Sequence, residues 1–272
     1  MNTAKRRKVV FLDIDGTLIG GEQGLVREDR EAMEEASRKG HFLFLNTGRS
    51  FANIPRDLID LSFLKGVVAG GGAHILLVGS SETSDEDIAG KSFKTIYRQF
   101  VSGEMLEKIF AWYGQRTKCC ILEGERNCYY INQTDWFFTS NTRVQVNSLE
   151  DFRNKSQGDF ITKLSFDDFV SEEEKTLLET DFKLNWFRNY VEGIIKGENK
   201  AKAMEIVMRH LALGREDSIA IGDGVNDIDM IRYAGLGIAM DNACAELKAA
   251  AGAVTGACGK GGVAEALRKY VL

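Results

Sequence analysis

No two cysteines in this 272-residue chain have the C-x-x-C spacing of a zinc knuckle, so a structural zinc site is not expected. Cys119, Cys120, Cys128, Cys244 and Cys258 are odd in number, which excludes complete disulfide pairing and points to reduced thiols. No apolar run approaches the ~20 residues that span a bilayer, so no membrane partner is expected. An excess of positive charge is also missing: 35 Lys and Arg stand against 40 Asp and Glu, a net charge of -5. Such a surface has no general attraction for nucleic acid or an anionic membrane, so an anionic ligand would need a local positive site. The basic run Lys5-Arg6-Arg7-Lys8 reads as a solvated lead into a strand. It has neither the apolar core nor the cleavage site of a secretory leader, so a cytoplasmic protein is expected. Internal repeats and low-complexity segments are absent, and nothing signals an oligomeric state.

What is present is a rhythm of strands and helices. Residues 8–12 are an apolar run ending at Asp13, suited to a strand buried on both faces of a parallel sheet. Residues 28–39 read as a helix stopped by Gly40, and 41–46 as a strand ending at Thr47-Gly48-Arg49. A helix is expected over about 51–60 with Pro55 in its first turns, then strands at 67–69 and 73–78 around Gly70-Gly71-Gly72. The polar stretch 80–90 changes the character of the chain. After it come a helix near 102–115, a hairpin of 118–123 and 127–131, a strand at 159–166, a helix at 171–181 and a strand at 183–195. The first rhythm returns with a helix at 200–211, a strand at 218–222, a helix at 226–234, a last core strand at 237–240 and two further helices. The expected fold is α/β: a doubly wound, Rossmann-like parallel-sheet core, residues 1–97 and 189–272, with an inserted α+β cap domain, 98–188.

Four places carry chemistry. Asp13-Ile14-Asp15-Gly16-Thr17 follows the first strand, where an open α/β sheet binds ligands. Gly16 permits a bend that turns Asp15 toward the same pocket. Two carboxylates so close repel unless a cation lies between them, and a hard divalent ion such as Mg²⁺ suits oxygen ligands plus phosphate. Gly222-Asp223-Gly224-Val225-Asn226-Asp227 follows another apolar strand; Asp223 and Asp227, four apart, can face the first site. Asn46-Thr47-Gly48-Arg49 offers a hydroxyl and backbone donors at a strand end. Lys200, at a helix start, can neutralise phosphate and aspartate together. Each alone has a plainer reading: a turn, a helix cap, a solvated lysine. An EF-hand loop is set aside because Gly24 stands where its twelfth-position Glu belongs.

Taken in order, these residues resemble the haloacid dehalogenase superfamily of phosphotransferases. The matches are Asp13-Ile14-Asp15-Gly16-Thr17-Leu18, the strand ending in Thr47-Gly48-Arg49, Lys200, and Gly222-Asp223-Gly224-Val225-Asn226-Asp227. The α+β insert is similar to the cap of the type IIB, Cof-like branch. The chain departs from that pattern with Gly71-Gly72-Ala73 where relatives often carry Asn-Gly-Ala, and with Lys196-Gly197 competing with Lys200-Ala201 for the lysine motif. The resemblance implies a phosphatase in which Asp13 attacks phosphorus and forms an aspartyl-phosphate, and Asp15 acts as acid and then base. It implies Mg²⁺ held by Asp13, the Asp15 carbonyl and Asp223, with Asp227 orienting the metal waters. Thr47 and Lys200 would position the phosphoryl group, Gly16, Gly48 and Asn226 would lie on the phosphate side, and Arg49 would contact substrate. The substrates implied are small phosphorylated metabolites, such as sugar or cofactor phosphates. A phosphomutase on the same fold is the alternative; a non-catalytic phosphate-binding protein is disfavoured because Asp13 and Asp15 are both present. Trp112, Tyr113, Trp136, Phe137 and Phe138 could line a substrate wall, although aromatics in such a domain are more often core.

Overall fold

The computed structural model describes residues 6–20, 24–79, 86–88, 91–114, 119–132, 142–167, 171–187 and 190–272. Trp136, Phe137, Phe138 and most of 80–90 lie outside these residues. Among the described residues the strands, in chain order, are β1 Val9–Leu12, β2 Phe42–Asn46, β3 Gly66–Ala69, β4 His74–Val78, β5 Glu86–Ile88, β6 Lys91–Arg98, β7 Cys120–Gly124, β8 Cys128–Ile131, β9 Arg143–Gln145, β10 Ile161–Asp167, β11 Phe182–Trp186, β12 Tyr190–Ile195, β13 Ser218–Gly222, β14 Leu236–Ala239 and β15 Ala253–Val254. The α-helices are α1 Arg27–Arg38, α2 Arg56–Ile59, α3 Gly103–Tyr113, α4 Leu149–Ser156, α5 Glu172–Leu178, α6 Lys200–His210, α7 Ile228–Tyr233, α8 Ala245–Ala250 and α9 Gly262–Tyr270. They fall into two compact units, 1–48 with 56–97 and 199–272, and 49–55 with 98–198. No helix among the described residues is long and apolar enough to cross a membrane.

The first unit is built on a sheet of order β15-β14-β13-β1-β2-β3-β4-β6-β5. From β15 to β3 every pairing is parallel, and β4 turns back antiparallel to β3. All four residues of β1 are fully buried, as an unbroken apolar strand covered on both faces must be. Alternation sends Val9, Phe11 and Phe44 to one face, where they pack with Ala203, Met204 and Val207 of α6 and with Met230 and Ile231 of α7. α1 buries Ala32, Met33 and Ala36, a one-face stripe at helical spacing, and packs beside α9. Register sets the site: Leu12 lies opposite both Leu45 and Ile221, so Asp13, Thr47 and Asp223 leave neighbouring strands at the same sheet edge.

The second unit has a sheet of order β11-β12-β10-β7-β8-β9, antiparallel except for the parallel β8–β9 pair. One face, with Leu122, Leu164 and Phe166, buries against Ile109 of α3, Phe152 of α4 and Leu178 of α5. Tyr113 is buried in this cluster as a core residue, and Trp112, half-buried, packs against it. The opposite face carries Cys119, Ile121, Cys128 and Tyr130, with Ala52 packed against them.

Three local expectations are corrected. The helix expected over 51–60 is a single 3₁₀ turn, Phe51–Asn53, followed by the short α2. The break is at Ile54, which is extended (φ -78°, ψ 131°) because the residue before a proline is disfavoured in the helical region. The strand expected over 183–195 is two antiparallel strands, β11 and β12, with Phe182 opposite Ile195 and Trp186 opposite Val191. Because β12 pairs with β10 and β11, residues 190–195 belong to the second sheet and not to the core sheet.

Candidate active site

Asp13 follows β1 and is 4% exposed; its N–H donates to Ile221 O (3.0 Å), which locks it beside β13. The chain then turns tightly. Ile14 O accepts from the N–H groups of Thr17, Leu18 and Ile19, and Gly16 N–H donates to Ile19 O. Gly16 takes φ +81°, and a Cβ there would come 2.1 Å from Asp223 Oδ2. Both the left-handed backbone and the approach of the Asp223 carboxylate therefore demand glycine. Asp15 sits in this turn with its side chain exposed.

Lys200 opens α6 and is 2% exposed. Its Nζ donates to Asp13 Oδ1 (2.6 Å) and to Asp227 Oδ1 (2.5 Å). Three neighbours set its position. Asn199 caps the helix by accepting from Lys202 N–H (2.8 Å). Buried Asn46, at the end of β2, donates to Lys200 O (3.3 Å). Gly72, at φ +110°, lies where a Cβ would meet Asn199 O at 2.4 Å. Gly72, which matches the glycine of the family's Asn-Gly-Ala, thus lets the backbone approach the helix start; the departure from that pattern is Gly71 alone. Lys196, the competing lysine, is exposed in the second unit and donates to Glu179 O (3.0 Å).

Asp227 is fully buried and used on both oxygens: Oδ1 faces Lys200, and Oδ2 accepts from the N–H groups of Asp223 (3.0 Å) and Gly224 (3.1 Å). It is the clamp of its own loop. Asp223 has weaker partners, Thr17 Oγ1 at 3.3 Å and Asn242 Nδ2 at 3.5 Å, and so presents the more available carboxylate. Asn242 also donates to Gly16 O (2.8 Å) and accepts from Cys258 N–H (2.7 Å), tying three loops together. Neither Thr17 nor Asn242 stands out in the sequence as a bridging residue. Asn242 has no motif around it, and only packing brings it to Gly16. Asn226 and Val225 are exposed beside this loop. Thr47 is buried, its N–H donating to Val68 O (2.9 Å) and its carbonyl accepting from Gly71 N–H (3.0 Å). Gly48 is the last residue of the first unit here, and Arg49, in the second, donates to Asn53 O (2.9 Å).

Electrostatics set the chemistry. One oxygen from each of Asp13, Asp223 and Asp227 lies within 4.8 Å of the others. Burial pushes the Asp13 carboxyl well above its usual range; Asp227 pushes the same way and Lys200 opposes both. Burial first, and Asp227 second, push Asp223 up to about 6. Burial alone would lower Lys200, but Asp13 and Asp227 outweigh it and hold the ammonium above the usual lysine value. Three acids against one lysine leave the cluster short of positive charge. A divalent cation would supply it, and Asp223 and Asp13 are the carboxylates placed to hold one.

The comparisons with known proteins agree with this geometry. Residues 10–267 match the family of haloacid dehalogenase-like hydrolases. The chain belongs to that family. Haloacid dehalogenase-like hydrolases similar to it include the 5-amino-6-(5-phospho-D-ribitylamino)uracil phosphatase YcsE of Bacillus subtilis, 28% identical over 97% of this chain and 96% of the relative. A second, the 5-amino-6-(5-phospho-D-ribitylamino)uracil phosphatase YwtE of the same organism, is 28% identical over 94% of this chain and 96% of its own length. Among solved structures, the subclass IIB sugar phosphatase BT4131 is 27% identical with a TM-score of 0.77, covering 97% of this chain and 98% of its own. The fold is that of subclass IIB, and the enzyme is a phosphoric monoester hydrolase of this family.

Proposed function

We propose that this hydrolase uses Asp13 as a covalent nucleophile to release phosphate from small phosphorylated metabolites, sugar or cofactor phosphates, with Mg²⁺ as its metal. The observation that carries the reading is the buried Lys200 ammonium between Asp13 and Asp227, with Asp223 beside them. A carboxylate at a strand end, with a buried ammonium 2.6 Å away that favours its charged form against burial, is placed to act as a nucleophile.

In this reading an Asp13 oxygen bonds to phosphorus as the bond to the ester oxygen breaks. Asp15, exposed at the turn, gives its proton to the leaving alkoxide, then takes one from the water that attacks the aspartyl-phosphate. The Lys200 charge and the Thr47 hydroxyl meet the equatorial oxygens, where negative charge must be held. Gly16, Gly48 and Asn226 serve the phosphate side, and Arg49 adds charge for the substrate. Asp13, the Asp15 carbonyl and Asp223 would hold Mg²⁺, and Asp227, spent on Lys200 and two N–H groups, would orient its waters. When bound, Mg²⁺ would neutralise charge on the phosphoryl group and on the acids.

The second unit is assigned the part of the cap: substrate choice and exclusion of water. The cysteines Cys119, Cys120, Cys128, Cys244 and Cys258 are free thiols, which supports a reducing, cytoplasmic setting. The test is a screen of phosphorylated metabolites with Mg²⁺, reading free phosphate, beside Asp13→Asn. Turnover that is abolished in Asp13→Asn supports the covalent route; substantial phosphate release by that variant excludes it.

A further inference from the structure

Asn242 lies between β14 and α8, outside the four motifs, and its side chain is exposed. Core packing therefore does not account for it; its hydrogen bonds do. Oδ1 accepts from Cys258 N–H at 2.7 Å. Nδ2 donates to Gly16 O at 2.8 Å and reaches Asp223 Oδ2 at 3.5 Å. These partners fix which way the amide faces, since a backbone N–H needs its oxygen and a carbonyl or carboxylate needs its nitrogen. Asn242, Gly16, Asp223 and Cys258 all belong to the first unit.

The loop that carries Asn242 is itself held. Met240 N–H donates to Gly222 O (3.0 Å) and Cys244 N–H to Asp223 O (3.1 Å), so the chain is pinned to the end of β13 on both sides of Asn242. The amide thus projects from a fixed base. The turn that it meets is held differently. Gly16 N–H donates to Ile19 O (2.7 Å), and the N–H groups of Thr17, Leu18 and Ile19 converge on Ile14 O. Bonds of this kind shape the turn without setting its distance from Asp223. Asn242 and Thr17 act on that distance: Thr17 Oγ1 donates to Asp223 Oδ1 at 3.3 Å, and Asn242 makes the shorter bond, to Gly16 O. No peptide here is cis, and a trans peptide points its C=O away from its N–H. With Gly16 N–H turned to Ile19 O, the Asp15 carbonyl faces the other way, and Asn242 fixes the next peptide through Gly16 O.

We infer that Asn242 is a positioning residue for the metal: it holds the Asp15-Gly16 turn and the Asp223 carboxylate at one spacing, so that the Asp15 carbonyl and Asp223 can meet a single Mg²⁺. The inference rests on the metal reading proposed above. The residue type fits the task. An amide donates to both oxygens yet brings no charge, whereas a lysine there would compete with the cation for Asp223. Groups that orient metal ligands without touching the metal typically carry about 10- to 100-fold in metal affinity or activity.

The experiment compares the full chain with Asn242→Ala. The thermal midpoint is followed across a Mg²⁺ titration at constant ionic strength, which reads metal affinity with no substrate and no turnover. The rate with p-nitrophenyl phosphate is followed across the same titration. We expect the Mg²⁺ concentration for half effect to rise by about 10- to 100-fold in both. At saturating Mg²⁺ kcat should stay within about 3-fold of the parent, because excess ion refills the site. The metal-free midpoint should stay within about 5 °C, since the amide is exposed and its hydrogen bonds compete with water. A folded Asn242→Ala protein with the parental Mg²⁺ dependence of midpoint and rate overturns the inference while leaving the phosphatase reading intact. A larger drop in the metal-free midpoint makes Asn242 a structural clamp and overturns it as well. A parent chain whose midpoint and phosphate release are both indifferent to Mg²⁺ overturns the metal reading, and the positioning role with it.

Discussion

Lys200 Nζ lies 2.6 Å from Asp13 Oδ1, joining a helix start to a strand end 187 residues earlier. The same ammonium reaches Asp227, so one buried cation holds two buried acids in place. Burying two acids this deeply without a paired cation would be costly.

The first expectation concerns the two lysines. Lys200→Ala should lower kcat by about 10²- to 10³-fold, the size of effect seen when a charge-stabilising group is removed from a transition state. Lys196→Ala should stay near the parental rate, because its ammonium is exposed and bonded to Glu179 O. Steady-state kinetics on one ester settles the ranking; the reverse order would move the lysine motif to Lys196.

Metal removal separates two aspartates. EDTA should abolish activity and Mg²⁺ restore it. Asp223→Asn should raise the Mg²⁺ concentration for half activation with a small change in thermal midpoint, since its protein partners lie 3.3 and 3.5 Å away. Asp227→Ala should instead cost about 2–5 kcal/mol of stability, because two backbone N–H groups and Lys200 lose a buried partner. Equal stability losses in the two variants would show that Asp223 is as much a structural clamp as Asp227.

Glycine at position 16 is a steric requirement. Gly16→Ala places a methyl 2.1 Å from Asp223 Oδ2 on a backbone at φ +81°. We expect loss of activity and about 1–3 kcal/mol of stability. Gly24→Ala, where a Cβ meets nothing within 4 Å, is the control and should match the parent in both. Denaturant midpoints and kcat on the two proteins check it.

Acid should weaken the second unit through Glu123. Burial alone would raise this carboxyl, but Lys163, with Ser165 and Ser50, outweighs it and holds it below its usual 4.5. A depressed folded value means stability that is fully present above the unfolded value and is lost as pH falls through the folded one. The parent should therefore lose stability below about pH 4.5, and Glu123→Gln should show a shallower loss there. Chemical denaturation at pH 3.5, 5 and 7 distinguishes the two, and identical acid limbs would remove Glu123 from the account.

Much of this arrangement is legible in the residues alone, because its causes are local. Val9–Leu12 is apolar without interruption, so it is a doubly covered strand, and Asp13 must emerge at its end. Gly16 beside two aspartates marks a bend, and Asn199 before Lys200 marks a helix start. Pro55 announces a break, although it acts one residue earlier, at Ile54. What sequence could not decide depends on partners far along the chain. Residues 183–195 read as one long strand, and only the antiparallel pairing of β11 with β12 makes them two. Asn242 bridges Asp223, 19 residues before it, and Gly16, 226 residues before it, with no spacing to betray it. Segment 49–55 follows a core strand yet packs in the second unit, because Ser50 meets Glu123 there. Local covalent geometry and periodicity write strands, turns and the order of the acids into the sequence. Which hydroxyl satisfies which buried carboxylate is set only when the chain has closed around them, since a buried polar group takes the partner that packing brings within reach.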